Sequence, residues 1–439
     1  MNSPAFIGEA AEHYRAGRLD NAAEICRTIL RQSPDDLPAN HLLGVVYFRQ
    51  GKNAAARELL AFASESPNAT AEIHNNYGAV LNATGDQEGA LSAFKRALAV
   101  QQGYADAYNN LGAVYRRRGE NAEAIESFRR ALALNPDLAE ARSNLGTAYR
   151  DVIPAWHFAM MGDRERNGAY ERAIARLVPG RRVLEIGTGA GLLAMMAARA
   201  GASSVITCEA VAPVADRARE IIAGNGLSQQ ITVVGKHSTQ LASGAGIPQR
   251  AEVLVTEIFS SNLIDEGLLP TIEHANQHLL IGNAATIPAA ASAMGYLIGG
   301  TTVSDLLFAG SSSGFDLSLF NEFAPPSLAV DLDGLPHDVL SADFTLLRLG
   351  LKSPVFPMGS RPVEIAATRS GLCAGVAQWI RLEFDAGDFY ENRPRAEAAT
   401  RSHWSHIIYR FPRLVRVNRG DTIRFIVRHD RRQISIQHP

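Results

Sequence analysis

The sequence predicts a multidomain chain: an N-terminal α-solenoid, a central Rossmann-like α/β sheet and a C-terminal β-barrel-like region. Three observations predict it. A 34-residue period runs through roughly the first 150 residues, with Gly44, Gly78, Gly112 and Gly146 on it, and also Ala22, Ala56, Ala90 and Ala124. The period then stops, and residues 183–193, Val-Leu-Glu-Ile-Gly-Thr-Gly-Ala-Gly-Leu-Leu, read as a buried strand, a glycine turn and a helix start. Further on, Ile380, Leu382 and Phe384 alternate with Arg381 and Glu383, and Ile423, Phe425 and Val427 alternate less cleanly with their neighbours. Period two is the mark of half-buried antiparallel strands.

A chain of 439 residues is long enough for two or three domains. With 46% hydrophobic and 20% charged residues and a net charge of −2, it reads as a soluble globular protein without the basic excess of a nucleic-acid or membrane-surface binder. Arg116-Arg117-Arg118 and the cluster from Arg428 to Arg432 read as solvated faces. Cys26, Cys208 and Cys373 are odd in number and far apart, so neither a disulfide framework nor a metal site is expected, and a reducing, cytoplasmic location is. Glu9 and Glu12 stand where a secretory leader would be basic and then apolar. Leu279 to Ser304 carries no charge, but Pro288, Asn283 and its glycines fit a buried strand with its connections better than a membrane helix.

Thirty-four residues is the period of the tetratricopeptide repeat, a helix–turn–helix unit. Ala105 to Leu138 is the clearest copy: Tyr108, Leu111, Gly112 and Tyr115 mark the first helix, Gly119 the turn, Ala124, Phe128 and Ala131 the second helix, and Pro136 its end. Residues 1–150 hold about four repeats, and a fifth begins at Ala139. The segment resembles tetratricopeptide proteins, whose stacked helix pairs form a concave surface for peptides. The expectation is a docking arm for a protein or peptide substrate or partner, a spacer being the alternative. Asn76, Asn110 and Asn144 share the period; they can bond an extended backbone or serve packing between repeats.

In the glycine stretch, Gly187, Gly189 and Gly191 allow backbone to approach a ligand closely, and the following helix presents free N–H groups to it. A second strand, Ser204 to Cys208, leads to Glu209, 18 residues past Gly191, close to the place of an acid that accepts from ribose hydroxyls. Glu185 adds a second carboxylate, expected to face the same crevice. Two acids suit a nucleoside bearing positive charge better than one bearing phosphates, which points to S-adenosyl-L-methionine; another nucleotide is the alternative. Strands at Ile231 to Gly235 and Val253 to Glu257 follow. Open α/β sheets bind ligands at the carboxyl ends of their strands, so Glu209, Ser238 and Glu257 would line one crevice.

From Trp156 to the C-terminus the chain resembles the protein arginine N-methyltransferase family, nearest to the atypical members that resemble the seventh and ninth human types. The resemblance is carried by residues 156–167, the glycine turn, residues 236–239, the stretch from Val255 through Glu257 to Glu266, and Ser402-His403-Trp404. One of these types also carries tetratricopeptide repeats ahead of its catalytic module. The resemblance implies a methyltransferase domain over 151–290 and a β-barrel-like substrate domain over 291–439, with a helical dimerisation arm near 301–326 and a homodimer. It implies that Glu257 and Glu266, nine residues apart, grip the substrate guanidinium. It implies that His403 pairs with Asp163, that Trp404 closes the arginine pocket, and that Arg166 binds the cofactor's carboxylate, with His157 and Met160 lining that end. Departures are Ser402 for threonine and Glu185 for aspartate. The aromatic residues that cover the cofactor are not obvious, although Tyr149 and Tyr170 lie nearby. Known atypical relatives carry two tandem modules, and this chain has one.

The residues suit the chemistry on their own account. Arginine stays protonated and is a poor nucleophile. Two carboxylates bind it by charge-assisted, fork-like bonds and leave electron density on the nitrogen that faces the methyl group. Methylation of another nucleophile, or a repeat scaffold with a non-catalytic methyltransferase fold, are the alternatives.

Overall fold

The computed structural model describes residues 3–244, 246–385, 387–396 and 402–437, in two compact units divided between Pro154 and Ala155. In the first unit, helix pairs Ser3–Arg15 and Leu19–Gln32, Leu37–Arg49 and Asn53–Glu65, Ala71–Ala83 and Gln87–Val100, and Ala105–Arg117 and Asn121–Leu134 precede a further helix, Ala139–Val152. Local chemistry sets the starts: Asp36, Thr70 and Asp86 accept from the backbone N–H groups of Ala39, Ile73 and Gly89. The periodic glycine is a contact requirement, since a Cβ on Gly112 would meet the Phe128 ring at 2.7 Å. Asn110 Nδ2 donates to Asn75 Oδ1 (2.9 Å), Asn144 Nδ2 to Asn109 Oδ1 (3.0 Å), and Asn76 Nδ2 lies 2.9 Å from His41 Nε2. Of the two uses expected for these asparagines, packing between repeats is the one seen.

The second unit opens with helices Trp156–Gly162 and Arg164–Leu177. Its parallel sheet runs Ile231–Val234, Ser204–Cys208, Arg182–Ile186, Ala251–Thr256, Leu280–Ile287 in space. Strand order reverses between Arg182–Ile186 and Ala251–Thr256, and the glycine turn leaves the first of these at that switch point, where such sheets open a ligand crevice. An antiparallel sheet follows, built on the long strand Gly371–Asp385 between Ala290–Gly299 and His406–Val417. Gly359–Ala366, Thr422–His429 and Ile434–Gln437 form a smaller antiparallel sheet. The alternation of residues 380–384 and 423–427 appears as alternating burial.

The uncharged stretch at 279–304 holds two strands rather than one. Leu280–Ile287 closes the edge of the parallel sheet, and Ala290–Gly299 is wholly buried in the antiparallel one. Both sheets contribute to a single apolar core. Among the described residues no helix is long and apolar enough to cross a membrane.

Candidate active site

The glycine turn is shaped for close approach. Gly187 has φ +92°, and a Cβ there would lie 2.8 Å from Ile258 Cγ2. Glu209, half-buried at the end of Ser204–Cys208, braces the loop: its Oε2 accepts from Gly189 N at 3.1 Å and its Oε1 from Val211 N at 3.0 Å. Gly191 ends the turn and caps the helix Leu192–Arg199. Ser238, at the end of the neighbouring strand, is buried, and its Oγ has no hydrogen-bond partner.

Glu185 is buried, and its Oε1 has no hydrogen-bond partner. It is 1% exposed and lies beneath the turn, with Thr207 Oγ1 donating to its Oε2 at 2.5 Å and Thr188 Oγ1 2.6 Å from the Thr207 hydroxyl. Burial outweighs that donation and pushes the carboxyl's pKa up to about 8. Pairing with a strand on each side fixes the backbone of Glu185 at the centre of the sheet.

The strand Ala251–Thr256 delivers Glu257 into a buried position. Arg166 Nη2 holds Glu257 Oε2 at 3.0 Å, while Glu257 Oε1 lies 3.4 Å from His403 Nε2 and makes no hydrogen bond. Arg166 is itself buried; its Nη1 donates to Asn167 Oδ1 (2.6 Å) and its Nε has no partner. After Glu257 the chain turns through Leu263, a buried residue at φ +77°, a backbone conformation that costs on the order of 1 kcal/mol and that its surroundings must enforce. Glu266 is exposed at the mouth. Crowding by protein atoms, then the charges of Asp265 and Glu257, raise its pKa above the usual carboxylate range.

Trp156, Phe259, Glu266, His403 and Trp404, with Ser260 and Ser261, enclose a small cavity of about 60 Å³. Trp404 Nε1 donates to the Phe259 carbonyl at 2.6 Å and fixes the loop that follows Glu257. Trp156 stacks on His157 (3.9 Å) and lies 5.9 Å from the His403 ring. Met160 is half-buried on the same short helix.

The expected pairing of His403 with Asp163 is absent. Asp163 Oδ1 caps its helix by accepting from Arg166 N (2.9 Å), and Asp163 Oδ2 accepts from Tyr390 OH (2.5 Å). With both Asp163 oxygens engaged, His403 turns to Glu257. Tyr170 is fully buried and donates to the Thr256 carbonyl (2.8 Å), and Tyr149 OH accepts from Arg129 Nε (2.9 Å) within the repeat unit. The residues that sequence reasoning left without roles are Trp156 and Tyr390. Trp156 heads the stretch 156–167, a signal present in the sequence; Tyr390 sits on a strand with no motif.

The parts fit a nucleoside cofactor: a turn pressed against Ile258, a carboxylate, Glu209, bonded to that turn, and buried polar atoms at Glu185, Ser238 and Arg166 left without partners. Fold and site define an S-adenosylmethionine-dependent methyltransferase. Comparison with known proteins makes this specific. Tetratricopeptide-repeat models match residues 13–75 and 69–137, and a ribosomal protein L11 methyltransferase model matches residues 170–278. An arginine N(omega)-methyltransferase of Streptomyces achromogenes subsp. streptozoticus is 40% identical over 276 residues, which are 62% of this chain and 76% of that protein. Protein arginine N-methyltransferase 7 of Cricetulus longicaudatus is 32% identical over 321 residues, 64% of this chain and 45% of its own. That of Anopheles gambiae is 53% identical over 138 residues, 29% of this chain and 20% of its own. The chain thus spans less than half the length of these type-7 relatives. Among solved structures, the Trypanosoma brucei PRMT1 enzyme–prozyme complex with AdoHcy shares the fold at a TM-score of 0.56 and 21% identity, covering 62% of this chain and 87% of that one. The chain belongs to the arginine N-methyltransferase family.

Proposed function

We propose that this protein transfers the methyl group of S-adenosyl-L-methionine to a guanidino nitrogen of an arginine in a protein recruited by the repeat unit. The observation that carries the reading is Glu257: buried, clamped by Arg166 through one oxygen, and with its other oxygen unbonded beside the cavity residue His403. That free oxygen is an acceptor waiting for a cation, and Glu266 at the mouth supplies a second. S-adenosyl-L-methionine, when bound, supplies an electrophilic methyl group on a good leaving group, so no strong base is needed. The two carboxylates hold the guanidinium and draw its positive charge to the nitrogens they touch. Arg166, with its unpartnered Nε, serves the carboxylate of the cofactor; Glu209 serves the ribose; Ser238, Gly187, Gly189 and Gly191 shape the floor. His157 and Met160 line the same end. Trp404 and Trp156 wall the guanidinium pocket and shut out water. The product proton leaves through Glu266 or through Glu257 to His403.

A homodimer formed through residues 301–326 belongs to the same proposal. The segment exposes Phe315, Leu319, Phe320 and Phe323, with Leu319 90% accessible, an apolar patch of the kind that a partner covers. Free arginine is the second reading, favoured by the likeness to the Streptomyces arginine N(omega)-methyltransferase. Tritiated cofactor offered with arginine-containing proteins, short peptides and free L-arginine decides. Label in proteins well above label in free arginine is the expected result, and label confined to free arginine transfers the function to the small molecule.

A further inference from the structure

We propose that Tyr390 is a positioning residue of the methyl-transfer site, a strut whose phenol ties the helix carrying Arg166 to the loop carrying His403 and Trp404. The proposal rests on the reading above, in which Arg166 serves the cofactor and the loop serves the guanidinium.

Tyr390 lies on the short strand Asp388–Glu391, held opposite Leu382 of the long central strand. It is buried, and its ring packs on Trp404 at 6.0 Å between centroids. Its hydroxyl stands between two groups. Asp163 Oδ2 is 2.5 Å away and Ser402 Oγ is 3.3 Å away. A phenol has one proton, and the carboxylate, which has none to give, takes it. Ser402 therefore donates its own proton to the phenol oxygen, and Trp404 N donates to Ser402 Oγ at 3.2 Å. The other oxygen of Asp163 accepts from Arg166 N at 2.9 Å.

The result is one directed chain: Trp404 N–H to Ser402, Ser402 to Tyr390, Tyr390 to Asp163, with Arg166 N–H meeting Asp163 from the other side. Every donor points toward the single carboxylate, so each bond polarises the next. Burial and the neighbouring Asp163 charge both raise the phenol's pKa, which keeps it a donor. Asp163 caps the helix Arg164–Leu177, so fixing the cap fixes the first turn, where Arg166 sits. A shift at the cofactor end is passed to the guanidinium end through this chain, and by linkage the reverse holds as well. Occupation of Asp163 by Tyr390 also leaves His403 to Glu257.

The test titrates S-adenosylhomocysteine into the full-length wild type, Tyr390→Phe and Tyr390→Leu, then measures peptide affinity with and without it, and steady-state kinetics. Tyr390→Phe keeps the ring against Trp404 and removes only the hydroxyl. Its S-adenosylhomocysteine affinity is expected to fall roughly tenfold, the effect of one hydrogen bond to a charged group. KM for an arginine peptide is expected to rise more than kcat falls, and the tightening of peptide binding by S-adenosylhomocysteine that the wild type is expected to show should vanish. Ser402→Ala is expected to reproduce that loss of coupling with a smaller change in cofactor affinity. Tyr390→Leu adds loss of packing, so a drop in thermal midpoint confined to it separates stability from positioning. Wild-type affinities and coupling in Tyr390→Phe overturn the proposal. Failure of the wild type to bind S-adenosylhomocysteine overturns the cofactor reading beneath it, which is a different result from a wild type that binds and a Tyr390→Phe that binds equally well.

Discussion

Glu266 and Glu185 are both carboxylates with raised pKa, yet the two shifts have opposite uses. Glu266 must be ionised to accept from a guanidinium. Its pKa sits above the ordinary range through crowding and the charges of Asp265 and Glu257, so kcat/KM is expected to fall as pH falls through that raised value. Glu266→Gln should remove that acid limb and lower the plateau by roughly tenfold to a hundredfold, the range for a lost bond between charged partners. Glu185 is buried and, with a folded pKa of about 8, prefers its proton in the native state. The unfolded value is about 4.3, so its favourable contribution is full below that pH and is lost as pH rises toward about 8. Glu185→Gln keeps an acceptor for Thr207 and cannot ionise. A thermal melt should show the variant gaining on the wild type between pH 5 and pH 8, by on the order of 1–3 kcal/mol at the upper end; an equal offset at both pH values would contradict this account.

Elements from distant parts of the chain hold the loop that bears the acids. Gln378 Nε2, on the long central strand, donates to the Ser261 carbonyl (2.9 Å), and its Oε1 accepts from Tyr409 OH (2.9 Å). Ser405 N donates to Ser261 Oγ (3.0 Å), and Ile434 N to Asn262 Oδ1 (3.0 Å). Gln378→Leu strands two buried partners, an expected loss of about 1–3 kcal/mol in denaturant melts, with KM rising because Phe259 and Glu266 are held less firmly. In the repeat unit, Gly112→Ala places a methyl group against Phe128 at 2.7 Å, and overpacking of this kind costs about 1–3 kcal/mol. Methylation of large proteins is expected to weaken in Gly112→Ala while methylation of short peptides is spared. What the sequence made legible follows the same division. The 34-residue period and the glycine turn are local patterns, written within one helix pair or one strand and its turn, and both were readable. The partner of Asp163 was not, because Tyr390 lies 227 residues further on and is brought in by strand pairing that leaves no motif.

At the scale of the whole molecule, two compact units share one chain, one a series of helix pairs with period 34 and the other a parallel sheet joined through residues 280–299 to antiparallel strands. A double substitution, Leu319→Ser with Phe320→Ser, removes apolar side chains that contact little in their own unit. Sedimentation equilibrium is expected to find the wild type dimeric and this variant monomeric, and a monomeric wild type would remove the arm from the proposal. The central claim is that Glu257 holds an arginine for methylation, and one measurement addresses it most directly. Wild type and Glu257→Gln are incubated with tritiated S-adenosyl-L-methionine and the same protein substrates. The products are then hydrolysed to amino acids, and S-adenosylhomocysteine binding is measured on both proteins. The account predicts label in methylarginine from the wild type, a loss of at least a hundredfold in Glu257→Gln, and retained S-adenosylhomocysteine binding by the variant. Label in an amino acid other than arginine, or undiminished methylarginine from Glu257→Gln, would contradict it.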